Sequence, residues 1–302
     1  MKCVWVVFRL LSLFCLALVN YLDEYLTTKI SSQVEPNIHK RVGSLLVATT
    51  VFSFIGLSFL WFFIEDLSSI DSSGKWLALL SAIPAVLTFI GYFYSLNKFS
   101  VHLVSPLFLL TTVWLVIFEF ANGQTVSLGA LVAMATILVG SYFLDIGEFS
   151  FRVPTKLVLY MAPTTLAWAA TILMVKEALG TMSSTTAYFI QLIGVQIIGI
   201  LLVIFIKQYR EGFTQRVSKD GKMFLGLSFL NESLAQLSYL FGTLAIAAAP
   251  FVSYVSALEG LQSIFVIGLL FLFPINERSK INLIQMAAIC LIVSGAVAIT
   301  IL

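Results

Sequence analysis

Ten apolar stretches, each long enough to cross a bilayer, fill this chain from Trp5 to Leu302 and leave little between them. A hydrocarbon core about 30 Å thick takes about 20 helical residues, and lipid offers no partner to a bare peptide group. Runs of this length lack the polar–apolar alternation of membrane strands, so each span is expected to be helical. A soluble fold fails for want of a polar shell: 11% of residues are charged and 60% hydrophobic, where a soluble domain carries about 25% charged residues. The expected fold is all-α, a polytopic membrane protein.

The candidate spans are 4–27, 42–64, 75–97, 101–119, 127–145, 155–176, 185–207, 222–246, 250–273 and 281–301. Turn signals separate them: Glu35-Pro36-Asn37, Asp71-Ser72-Ser73-Gly74, Ala121-Asn122-Gly123, Pro154, Asp220-Gly221 and Pro274-Ile275-Asn276. The two longest polar stretches, 28–41 and 207–222, are too short to fold alone and read as connections. The opening residues have the look of a signal peptide, but Arg9 interrupts the run. No small-residue cleavage pattern surrounds Asn20-Tyr21-Leu22-Asp23-Glu24, so a first membrane helix is expected.

Several functions are set aside. Cys3, Cys15 and Cys290 have no paired spacing, so neither a disulfide framework nor a zinc site is expected. There is no His-Glu-x-x-His, glycine-rich phosphate loop or Asp-rich metal motif, and the chain holds 2 His. The expectation is no enzyme, no cofactor, no metal and no nucleic-acid partner.

The two halves repeat. Gly74-Lys75 and Gly221-Lys222 open the third and eighth spans, an offset of 221 − 74 = 147. That offset also pairs Tyr92 with Tyr239, Lys29 with Lys176 and Tyr21 with Trp168. Two five-helix units follow, 1–150 and 151–302. An odd number of spans per unit turns the second copy upside down, a recurrent transporter plan. With ten spans, thirteen Lys and Arg fall on one face and four on the other, Arg9 among the four. The positive-inside rule then puts both termini outside.

Polar groups inside lipid are costly, so those at mid-depth are the functional candidates. Glu259 lies nine residues past the Ala249-Pro250 turn, about 13 Å deep. Ser256, Glu259 and Gln262 share one helix face; Glu232, Gln236 and Tyr239 share another. Tyr239 comes out level with Glu259, and Glu232 about 12 Å further in. One reading is a cavity between the eighth and ninth helices whose Glu259 binds a cation or a proton. The other is a neutral, buried Glu259 bonded to a neighbouring helix. In the first span, either Asn20 and Glu24 face the pathway, or Asp23 and Glu24 merely sit near the interface with Tyr21 and Tyr25 as belt aromatics. Gln191 and Gln196 serve as interhelical glue or line a pathway, and glue is the preferred reading.

Tyr239-Leu-Phe-Gly-Thr-Leu-Ala-Ile-Ala-Ala-Ala-Pro250, Ser256-Ala-Leu-Glu-Gly-Leu-Gln262 and Ile292-Val-Ser-Gly295, echoed by Ser105-Pro106 and Leu138-Val-Gly140, resemble the EamA-type repeat of the drug/metabolite transporter superfamily. The resemblance covers nearly the whole chain and lies in the order of its motifs. It implies ten helices in two inverted repeats around a central cavity, and movement of small metabolites or drugs by alternating access. Tyr21, Tyr92, Trp168, Glu232, Gln236, Tyr239 and Glu259 fall on helices that would line it. Glu259 stands where many members have an apolar, Pro-containing stretch, so its role does not come from the family.

The expected function is secondary transport of a small organic solute across the plasma membrane, with a proton as one candidate coupling ion. The alternatives are a translocase for lipid head groups or lipid-linked sugars on the same fold, and a scaffold that moves nothing. Substrate, direction and oligomeric state are not legible in the sequence.

Overall fold

A computed structural model describes residues 4–26, 37–65, 67, 70–99, 101–146, 154–272 and 282–301. Every regular element among them is a helix. In chain order these are α1 (Val4–Glu24), α2 (Ile38–Leu60), α3 (Ser72–Leu80), α4 (Ala82–Leu96), α5 (Val101–Phe108), α6 (Leu110–Ala121), α7 (Leu128–Ile146), α8 (Thr155–Ala178), α9 (Ser184–Phe205), α10 (Lys207–Ala248), α11 (Val252–Ala257), α12 (Gly260–Leu272) and α13 (Leu283–Ile301). A 3-10 turn, Trp61–Phe63, extends α2.

Eight segments are long and apolar enough to cross a membrane, and Leu128–Leu144 is apolar but shorter. Three of the eight are compound: α3 with α4, α5 with α6, and α11 with α12. The protein is an all-α, multi-pass membrane protein. Helix α10 falls outside the eight because Asn231, Glu232, Gln236, Ser238 and Tyr239 dilute its apolar residues.

Local chemistry sets several helix starts. Asn37 accepts from the His39 amide at 2.9 Å, and Asp71 from that of Ser73 at 3.1 Å. The Ser73 bonds and the free amides of that first turn hold the Asp71 carboxyl below the usual carboxylate range. At the α6–α7 turn Gly123 takes φ +76°, where a side chain would be strained. Glu35-Pro36 and Pro274-Ile275-Asn276 lie outside the described residues.

One expectation is corrected here. The stretch 207–222 is the first part of α10, which runs 42 residues with Asp220 (φ −122°, ψ 25°) as its one non-helical position. The Asp220-Gly221 signal marks a kink and not a turn. The polar half is held by packing: Gly212 seats against the Lys40 backbone, and Glu211 pairs with Lys40 at 3.3 Å. That lysine keeps the Glu211 carboxyl below the usual range. Arg216, in the same stretch, is fully buried, its guanidinium 5.2 Å from the Phe224 ring centre.

Helix α10 packs along α1, α2 and α9; α4 packs on α8, and α7 on α13. The α7–α13 crossing needs glycine on both sides. A Cβ on Gly140 would lie 2.8 Å from Ile292 and 3.0 Å from the Ala288 carbonyl oxygen. One on Gly295 would lie 2.7 Å from Ile137 and 2.8 Å from the Ala133 carbonyl oxygen. Small residues at such crossings let backbones approach where lipid supplies no hydrophobic drive.

Candidate functional site: a charged cavity inside the helical bundle

The ninth apolar segment is broken at Leu258–Glu259, between α11 and α12. Regular α-geometry would direct the Glu259 amide to the Val255 carbonyl. It goes instead to Ser256 at 2.9 Å, a tighter turn. The Val255 oxygen is thereby released, and Arg9 of α1 takes it: its Nε donates at 2.8 Å. The same guanidinium reaches the Glu259 carboxylate, Nη2 to Oε1 at 2.5 Å. Arg9 thus closes the break twice, once on backbone and once on side chain. Both partners are nearly buried, 7% and 10% exposed, so each neutralises a charge that would be costly alone.

The segment α5–α6 is also broken, at Leu109. Pro106, inside α5, has no N–H of its own for a helical bond. The Leu109 amide bonds the Pro106 carbonyl at 3.2 Å. Two interrupted helices therefore face the interior of the bundle.

Between them lies a cavity of about 150 Å³, room for on the order of ten waters at roughly 10–15 Å³ each. Its charged lining is Arg9, Asp23, Glu232 and Glu259. Asp23, 3% exposed, accepts from Asn231 Nδ2 at 2.9 Å. Glu232 Oε1 accepts from Gln236 at 2.7 Å and Ser53 at 3.1 Å. Gln236 in turn accepts a hydrogen bond from the Tyr188 hydroxyl. Tyr92 donates to Asn20 at 3.1 Å. Tyr239 lines the same cavity as Asp23, Glu232 and Glu259. Its ring meets Trp168 at 5.8 Å and Phe89 at 6.0 Å between centroids.

Of the residues singled out from sequence, Glu259, Glu232, Tyr239, Trp168, Gln262, Tyr92 and Asn20 line this cavity. Gln236 lines a smaller space of about 30 Å³ behind Glu232 and Tyr239. Tyr21 does not line the cavity: it sits 100° around α1 from Asn20, whereas Asp23 returns to within 60°. Asp23 is thus a cavity acid that the sequence reading left at the interface. The Glu24 side chain lies outside the described residues.

Two other readings are corrected. Glu259 does not offer a vacant carboxylate, because Arg9 already occupies it. Glu232 lines the same cavity as Glu259. Gln191 lines the cavity too, and the Gln196 amide, 3% exposed, finds no hydrogen-bond partner among the described residues. No cluster of metal-ligating side chains occurs among the described residues.

No family model and no curated protein matches the chain. Among solved structures 28 chains match. One, titled "Crystal structure of protein", superposes with a TM-score of 0.58 at 16% identity, over 98% of this chain and 96% of that one. At that identity the likeness is one of fold.

Proposed function

We propose that this protein is a secondary transporter of a small organic metabolite or drug, built as ten membrane helices in two inverted five-helix repeats that rock around the central cavity. The observation that carries the reading is a polar, charged cavity inside an apolar bundle, bounded by two interrupted helices. In inverted-repeat transporters the site lies at the repeat interface and is formed by such helices. A scaffold would be better served by dry packing.

Reciprocal contacts support the repeat. Thr88 Oγ1 donates to the Thr164 carbonyl at 3.3 Å between α4 and α8; Ser238 Oγ donates to the Ser12 carbonyl at 2.8 Å between α10 and α1. Gly91 lies against Thr164, and Gly242 against Ser12. At the α7–α13 crossing, Gly140 meets Ile292 while Gly295 meets Ile137. Exchange of one partner for the other is the mark of a two-fold relation. The register of these pairs runs 150 to 155 positions (88 to 238, 91 to 242, 12 to 164, 137 to 292), which replaces the 147 read from the Gly-Lys pair.

The resemblance to EamA-type members of the drug/metabolite transporter superfamily agrees with this plan, and the Lys/Arg asymmetry favours an orientation with both termini outside. Arg9 leaves that count, being paired within the bundle.

Alternating access has a test that needs no substrate. Ala235, 6% exposed, lines the cavity. In a background with the native cysteines replaced, Ala235→Cys is expected to react with a membrane-impermeant thiol reagent in both right-side-out and inverted vesicles. Reaction from one side alone, or from neither, contradicts rocking.

A further inference from the structure

The charges facing the cavity do not balance, and the excess falls beside aromatic rings. Arg9 and Glu259 cancel as a pair at 2.5 Å. Glu232 has Gln236 and Ser53 as partners, both neutral. Among the described residues no Lys, Arg or His comes within 4.0 Å of it. Phe89, Trp168 and Tyr239 line, with Glu232, both the central cavity and the smaller space behind it. Their rings sit at tilts of 49° and 59° about Tyr239, a bent aromatic wall and not a flat stack.

A carboxylate and electron-rich ring faces serve one ligand chemistry together. An anion is repelled by Glu232, and a neutral solute leaves that carboxylate uncompensated inside the bundle. An ammonium group satisfies the acid and is drawn to the ring faces as well. We propose that the transported solute carries a positively charged amine, held between Glu232 and the Phe89–Trp168–Tyr239 wall. The inference rests on the transport reading and names the class of its substrate.

Binding to purified protein, measured calorimetrically, separates this claim from translocation. The probes are phenethylammonium and benzyltrimethylammonium, with 3-phenylpropan-1-ol as neutral analogue and 3-phenylpropionate as anion. At least one amine is expected to bind at millimolar concentration or below, and at least about tenfold more tightly than the alcohol or the anion. Glu232→Gln is expected to lower amine affinity at least about tenfold. Glu232→Asp, which keeps the charge, is expected to retain more of it, each variant being checked by its melting temperature. Equal affinity for the alcohol or the anion, no amine binding, or an unchanged affinity in Glu232→Gln overturns the proposal. Amine binding with one-sided Ala235→Cys labelling would instead refute transport and leave the cation site standing. Two-sided labelling with preference for the anion would do the reverse.

Discussion

Arg9→Met is expected to destabilise the protein by about 3–5 kcal/mol, the usual result of removing one partner from a buried ion pair. Two losses coincide. Glu259 is left as an uncompensated charge between α1 and α12, and the Val255 carbonyl, freed by the break in the ninth segment, loses its donor. The size of the effect comes mostly from the stranded carboxylate. Arg9→Met with Glu259→Gln should therefore be more stable than Arg9→Met alone, with a coupling on the order of 1–3 kcal/mol. Melting temperatures of the four proteins in one detergent measure this cycle. Additive effects of the two substitutions would mean that the pair carries little energy and that Arg9 acts through packing alone.

The second large effect belongs to the α7–α13 crossing. Gly295→Val is expected to cost about 3 kcal/mol or more, at or beyond the upper end of ordinary overpacking. Its Cβ would already sit 2.8 Å from a backbone oxygen of Ala133, which has no rotamer through which to yield. Gly268 in α12 is the control, since nothing lies within 4 Å of a Cβ built there. Gly268→Ala should be neutral or stabilising by up to about 1 kcal/mol, the helix-propensity difference. Similar melting temperatures for Gly295→Val and Gly268→Ala would show that these helices do not approach as described.

Membrane class and helical content were legible because lipid permits few alternatives: an apolar run of about 20 residues must satisfy its own backbone. Polar stripes at helical spacing also pointed inward correctly for Glu232, Tyr239 and Gln262. Arg9 was seen as an interruption and not as a participant. A cation in the first span and a carboxylate at mid-depth in the ninth each need a partner, and that shared need was the available signal for pairing them. Local sequence could not disclose it, because 250 positions separate the two.

Asp23 was missed for a different reason. Two adjacent acids near the end of an apolar run look alike in sequence, and only the angular step of the helix puts Asp23 with Asn20. The 207–222 stretch misled because its charges suggest a solvated connection. Its helical course depends on contacts with Lys40 that pattern alone does not encode.

Radiolytic hydroxyl-radical footprinting of the native protein in lipid nanodiscs tests the central claim most directly, since it oxidises side chains that touch water. Trp168 and Tyr239, on the cavity wall, are predicted to be modified readily. Phe14 and Phe54, 46% and 48% exposed on the outer surface of α1 and α2, are predicted to be shielded by acyl chains. Protection of Trp168 and Tyr239 to the same degree as those two would mean a dry interior, and would contradict the account.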